Sequence, residues 1–135
     1  MREVIESIHR LDKVRGANAY LIEADDRAVV VDTGVASGAD GLVAELRAAR
    51  IPRITDVVVT HYDPDHIGSA AAVQRETGAT VWLGAADQRI VRGEVPHPRG
   101  RAASCAGSAA RDVRTCRSSP SCPTTPRPRS CRGWS

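Results

Sequence analysis

Short apolar runs separated by polar turns fill residues 1–96, and their two periodicities predict alternating strands and helices. Residues 4–9 form a first strand candidate, and residues 17–23 (Ala-Asn-Ala-Tyr-Leu-Ile-Glu) a second. Asp25 and Asp26 then make a turn, because short polar side chains bond to the local backbone and tolerate turn geometry. Residues 28–32 (Ala-Val-Val-Val-Asp) are the third candidate, ended by Thr33 and Gly34. Spacing this tight predicts an antiparallel hairpin or meander. Residues 38–50 place Leu42, Val43, Leu46 and Ala49 at helical intervals, with Glu45 and Arg47 off that stripe. Asp40 is the candidate N-cap and Pro52 blocks continuation. Residues 54–60 carry Val57-Val58-Val59, the run expected of a strand buried on both faces. Residues 67–77 read as a helix stopped by Gly78, residues 80–83 as a strand and residues 85–91 as a short helix. The order β-β-β-α-β-α-β-α implies an α/β layered domain with helices outside the strands.

That patterning stops near residues 93–98. Among residues 97–135, Val113 is the only Val, Leu or Ile, and the segment holds 5 of the 8 prolines. It has no period of 2 or 3.6, and cannot bury enough apolar surface to offset the entropy of ordering it. Residues 1–96 are therefore read as one domain and residues 97–135 as a disordered tail. Charge divides at the same place. Residues 1–96 hold 11 basic and 15 acidic residues, a net of −4; residues 97–135 hold 8 Arg and one acid, Asp112, a net of +7. The sum is the +3 of the whole chain. An abrupt turn to Arg, Ser, Pro and Cys reads as a wrong-frame translation of a GC-rich gene, beginning between residues 93 and 105. The other two frames of the encoding DNA test that reading.

Composition excludes several classes. Aromatic content is 3% with no Phe, so any core is aliphatic. Cys105, Cys116, Cys122 and Cys131 form no C-x-x-C pair, which argues against a zinc ribbon. Charges interrupt the first residues and no apolar core region follows, so no signal peptide is read there. No stretch reaches the ~18–20 apolar residues of a membrane span. The expected compartment is the cytoplasm, with reduced thiols. The Arg-rich tail would neutralise phosphates, yet it lacks interleaved aromatics apart from Trp134 and carries no nucleic-acid-binding pattern. Nucleic acid is not an expected partner, and oligomeric state is left open.

The chemistry lies in Thr60-His61-Tyr62-Asp63-Pro64-Asp65-His66. Imidazole and carboxylate are the usual ligands of zinc and similar divalent metals. Alternation in an extended loop sends His61, Asp63 and Asp65 to one side, and leaves His66 free to reach a second metal. The strand anchors the loop, and the loop permits non-repetitive aiming. His9 is expected to be a satisfied or exposed strand residue. His97, between Pro96 and Pro98, is expected in an extended, exposed stretch. Gly68 is expected where backbones pack closely.

Residues 60–68, Thr-His-Tyr-Asp-Pro-Asp-His-Ile-Gly, resemble the T-H-x-H-x-D-H-x-G signature of the metallo-β-lactamase fold family. Asn18-Ala19-Tyr20-Leu21-Ile22 is similar to that family's N-terminal strand, and Val30-Val31-Asp32-Thr33-Gly34 to its V-D-T-G turn. The resemblance implies the N-terminal half of an αββα sandwich. It implies a metal-dependent hydrolase acting on an ester, thioester, lactone, lactam or phosphoester, hence a small-molecule substrate. It implies two divalent metals, with His61 serving the first, Asp65 and His66 the second, and Asp65 orienting the attacking water. Asp32 and Gly68 would be supporting residues. At position 63 the family most often has His; Asp63 remains a ligand candidate and admits iron or manganese beside zinc. The family's second half supplies three further ligands, and nothing in residues 93–135 matches them. The chain is therefore expected to be a truncated hydrolase, impaired or inactive. The alternatives are a non-catalytic interaction module and a nucleic-acid binder acting through its tail.

Overall fold

The computed structural model of the protein describes residues 1–49, 51, 53–97 and 113–116. Its elements are β1 (Arg2–Ile5), β2 (Ile8–Arg10), β3 (Tyr20–Ala24), β4 (Arg27–Val31), a 3-10 turn (Ala36–Gly38), α1 (Ala39–Ala48), β5 (Arg53–Val59), α2 (Pro64–Ile67), α3 (Ala70–Thr77), β6 (Thr80–Gly84), α4 (Ala85–Val91) and β7 (Val113–Cys116). The strands form one sheet in chain order. β1 to β4 make the expected antiparallel meander, and β4 to β7 pair in parallel. Parallel neighbours need a crossover, and α1 and α3 supply the first two.

Register sorts the side chains to two faces. One cross-strand row is Leu21–Val30–Val57–Val81, every member buried. With Val59, Leu83, Leu42 and Leu46 of α1, and Ala70 and Val73 of α3, it makes a single aliphatic core. Each fully buried Val or Leu stabilises by roughly 1.5–3 kcal/mol. The next row, one residue out of phase, is Arg10–Tyr20–Val31–Val58–Trp82. It faces away from the core, and Val58 is 38% exposed. This corrects the expectation that residues 54–60 are buried on both faces. Val57-Val58-Val59 spans a covered and an open face, and hydrophobicity alone does not separate them.

Other boundaries differ for local reasons. Residues 4–9 are not one strand; β1 and β2 form a hairpin about Ser7, whose φ of +63° reverses the chain. α1 is entered through the 3-10 turn, so its N-cap is Gly38, and Asp40 lies in the first turn without capping. There a carboxylate still favours the positive end of the helix. The helix expected over residues 67–77 is two pieces, α2 and α3. Gly78 ends α3 in the left-handed conformation expected of it, φ +73°. β7 adds a parallel edge strand that the patterning does not contain; pairing with Val81 supplies Val113 with an order its own neighbourhood lacks. Apart from His97 and β7, the tail of residues 97–135 lies outside the described residues, as do Cys105, Cys122 and Cys131. Among the described residues no helix is long and apolar enough to cross a membrane.

Candidate metal centre at the ends of β4 and β5

Because β4 and β5 are parallel, both deliver their C-terminal ends to one edge of the sheet, the usual place for a site in such folds. Asp32 follows β4 and Thr60 follows β5. The Asp32 N–H donates to the Val58 carbonyl at 2.9 Å, and Asp32 then turns into the left-handed region with φ +59°. For a residue other than glycine that conformation costs about 1–3 kcal/mol and persists only when the surroundings fix it. Here three donors do so. Asp32 Oδ1 accepts the Thr60 N–H at 2.8 Å. Oδ2 accepts the Thr60 hydroxyl at 2.8 Å and His66 Nδ1 at 2.8 Å. Asp32 is buried, and every buried side-chain polar atom among the described residues has a partner.

His66 is held at its other end as well. Thr33 donates twice to the His66 carbonyl, through its N–H at 2.9 Å and its hydroxyl at 2.8 Å. Pro64 sits in the first turn of α2, where its missing N–H is harmless and its fixed φ suits the helix. Asp63 is the N-cap residue, yet its carboxylate makes no capping bond and is left for other use. Ser69 ties the next turn down, its hydroxyl donating to the Val35 carbonyl at 2.8 Å. Gly16, with φ +90°, backs onto this loop so closely that a Cβ would stand 3.0 Å from the Asp65 Cβ.

The four ligand-type side chains divide into two pairs. His61 Nε2 stands 3.6 Å from Asp63 Oδ2, and His66 Nε2 stands 3.7 Å from Asp65 Oδ2. The two imidazole rings lie 3.9 Å apart, tilted by 46°. An alternating extended loop does not produce this. Asp65 and His66 are on the helical turn α2, Asp63 is extended at its N-cap, and His61 lies in the bend that follows β5. Among the described residues, no three His, Cys, Asp or Glu side chains converge into a ready metal-holding group. The pairs nonetheless suit divalent metal. His66 spends Nδ1–H on Asp32, so in the neutral ring Nε2 offers its lone pair toward the Asp65 carboxylate. Two acceptors facing each other repel unless a cation lies between them. Donors ~2.0–2.2 Å from a tetrahedral ion lie about 3.4 Å from one another, close to both separations. A carboxylate on the far nitrogen of a ligating histidine is also the usual support of such ligands. His66 opens onto a cleft of about 550 Å³ shared with Arg10, Val14, Gly16, Ala17 and Asn18.

The sequence model of the metallo-beta-lactamase superfamily matches residues 12–109. The chain belongs to that superfamily. Curated relatives from two species are named hydroxyacylglutathione hydrolase. That of Xanthomonas axonopodis pv. citri is 39% identical over 70 residues, covering 52% of this chain and 26% of the relative. That of Pseudomonas aeruginosa is 42% identical over 64 residues, covering 47% and 23%. Among solved structures, the metallo-beta-lactamase SMB-1 bound to 2-mercaptoethanesulfonate superposes with a TM-score of 0.64 and 28% identity. It covers 81% of this chain, which covers 43% of it. MEM-A1, a subclass B3 enzyme from a soil metagenome library, gives 0.60 and 25%, covering 67% and 35%. The chain thus spans about a quarter of the length of the curated relatives it matches. Superfamily members bind divalent metals, commonly zinc.

Of the residues singled out in the sequence, Asp32, His61 and His66 meet directly or through Thr60, while Asp63 and Asp65 each face one imidazole. Gly68 packs as expected: a Cβ there would lie 2.5 Å from the Ala36 nitrogen and the Pro64 oxygen. His9 is satisfied by Glu23 at 2.9 Å. His97 departs from its expectation. It is half-buried, edge-on to Tyr62 with ring centres 5.1 Å apart, because an aromatic surface is available to it. Three contributors were not singled out. Thr33 and Thr60 stand inside the quoted motifs, and a hydroxyl beside each ligand-type residue was the available signal. Gly16 carried none.

Proposed function

We propose that this site belongs to a metal-dependent hydrolase, with His61 and Asp63 holding one divalent ion and Asp65 and His66 a second. One observation carries the reading: Asp32 fixes His66 through Nδ1 and leaves Nε2 facing the Asp65 carboxylate. When bound, the metal supplies Lewis acidity and lowers the pKa of water toward neutrality. The chain's own residues do the rest. Asp32 holds His66 in one tautomer, Thr33 fixes the backbone beneath it, and Pro64 starts the turn that presents Asp65. Asp65, its side chain 45% exposed, would orient the attacking water. Zinc is the first candidate, with iron or manganese admitted by the hard Asp63 oxygen. The relatives' name points to hydroxyacyl thioesters of glutathione within the wider ester and lactam range.

A second reading is a half-site that binds metal without turnover, or none at all. It is favoured by the absence of any three-donor group among the described residues. Metal content of the purified chain, beside Asp65→Ala, and thiol release from a hydroxyacyl-glutathione thioester separate the two. Stoichiometric metal that falls on substitution, with thiol release, supports the hydrolase. Metal without thiol release supports the half-site. Less than about 0.2 equivalents of metal would overturn the metal assignment.

A further inference from the structure

We propose that the Thr60 hydroxyl sets the tautomer of His61, making Nε2 the nitrogen that His61 offers to a metal. The metal clause rests on the reading above; the tautomer clause does not. Thr60 Oγ1 lies 2.8 Å from Asp32 Oδ2 and 3.0 Å from His61 Nδ1. A hydroxyl has one proton to give and lone pairs to accept with, whereas a carboxylate oxygen only accepts. The Thr60 proton therefore goes to Asp32. What Oγ1 has left for His61 is a lone pair, so the proton between Oγ1 and Nδ1 must come from the ring. With Nδ1 bare, two lone pairs would meet at 3.0 Å.

The hydroxyl has little freedom to do otherwise. The Thr60 N–H is fixed on Asp32 Oδ1, and β-branching leaves few χ1 rotamers. Rotation away from His61 would also abandon Asp32. His66 reaches the same carboxylate oxygen directly, at 2.8 Å, and its Nδ1 is 3.4 Å from Oγ1. One carboxylate thus assigns both imidazoles the Nδ1–H form, His66 by contact and His61 through Thr60. The two are unequal. A bond to a carboxylate is roughly twice as strong as one between neutral groups, so His66 is held more firmly than His61. Thr60 is a positioning residue: it touches the ligand, not the substrate.

The test compares Thr60→Val, which keeps the shape and removes the hydroxyl, with Thr60→Ser, which keeps the hydroxyl. Long-range proton–nitrogen NMR of metal-free, histidine-labelled full-length chain, at a pH where the rings are neutral, reads each tautomer. His61 is expected as Nδ1–H in the parent and in Thr60→Ser. In Thr60→Val it shifts toward Nε2–H, the form that free imidazole side chains favour. His66 stays Nδ1–H throughout and reports that the Asp32 hub is intact. Zinc titration should weaken about tenfold in Thr60→Val and recover in Thr60→Ser, the lower end for loss of a supporting hydrogen bond. A His61 that remains Nδ1–H in Thr60→Val overturns the proposal, as does a Thr60→Ser variant that behaves like Thr60→Val. Loss of the His66 signature in Thr60→Val also overturns it, because the hydroxyl would then be holding the whole hub. If the parent binds no zinc, the metal reading fails while the tautomer comparison still decides this one.

Discussion

Replacing Gly68 by Ala isolates what close packing contributes to the site. A methyl at Gly68 would stand 2.5 Å from the Ala36 nitrogen, 2.5 Å from the Pro64 oxygen and 2.8 Å from the Gly34 oxygen. All three are backbone atoms, so no rotamer change relieves them: segments 34–36 and 64–68 must separate, and the 64–68 turn itself must open to clear the Pro64 oxygen. Overpacking of this kind costs about 1–3 kcal/mol, occasionally more. Ala offsets about 0.5–1 kcal/mol of that, because Gly68 has helical dihedrals and Ala prefers them. Since all three contacts are far below ordinary van der Waals distance, we expect the upper part of the range, a net loss of about 2 kcal/mol. For a domain of this size that lowers Tm by roughly 8–16 °C. Two other glycines calibrate the measurement. Gly84 has nothing within 4 Å, so Gly84→Ala should stay within about 0.5 kcal/mol of the parent. Gly78 also has open space but a φ of +73°, so Gly78→Ala should lose about 1 kcal/mol through the backbone alone. Thermal and urea melts followed by circular dichroism give all three. A Gly68→Ala variant melting with the parent, while Gly78→Ala falls, would refute the close approach of α2 to residues 34–36.

Asp32→Ala should cost about 2–4 kcal/mol, since it strands the Thr60 N–H and His66 Nδ1, and it should abolish metal retention; a variant with parental stability and metal content would count against the hub. Asp56 has its pKa lowered by hydrogen bonds from Thr55 and then Trp82, against partial burial, with Arg27 assisting. Its folded pKa lies below the unfolded one, so its contribution is present above the usual carboxylate range and is lost as pH falls through the depressed value. In a Trp134→Phe background, Trp82 fluorescence should change with a midpoint below that of an ordinary aspartate, because Trp82 Nε1–H donates to Asp56 at 2.6 Å; a midpoint at or above the ordinary value would contradict this. Val58→Lys, on the open sheet face, should reduce light scattering at high concentration and change stability by less than about 0.5 kcal/mol; undiminished scattering would show that this face does not drive association.

Element types were legible where pattern and position agree. Residues 85–91 are α4 as read, and Gly78 stops α3 as read. Layer coverage was not legible: Val57, Val58 and Val59 are chemically alike, and only the position of the helices decides that Val58 is open. The ligand-type residues were legible as residue types, and their pairing was not. Pro64 starts a helical turn inside the loop, so Asp65 leaves the side shared by His61 and Asp63 and pairs with His66. The left-handed turn at Asp32 was invisible too, since the residue must first be held by Thr60 and His66, which are 28 and 34 positions away.

That separation bears on how portable the motif is. All four ligand-type side chains fall within six consecutive residues, which suggests a cassette that could be moved into another scaffold. The groups that aim them, Asp32 and Thr33, come from a different strand and return to the loop only after α1 and β5 have been laid down. Closing a loop of about 30 residues costs on the order of 3 kcal/mol, which the shared core of β4, β5 and the helices offsets in the intact chain. A peptide spanning residues 53–78 would keep every candidate donor and lose the direction of each. The smallest transferable unit is therefore two parallel strands with their crossover helix, not the loop that carries the recognisable sequence.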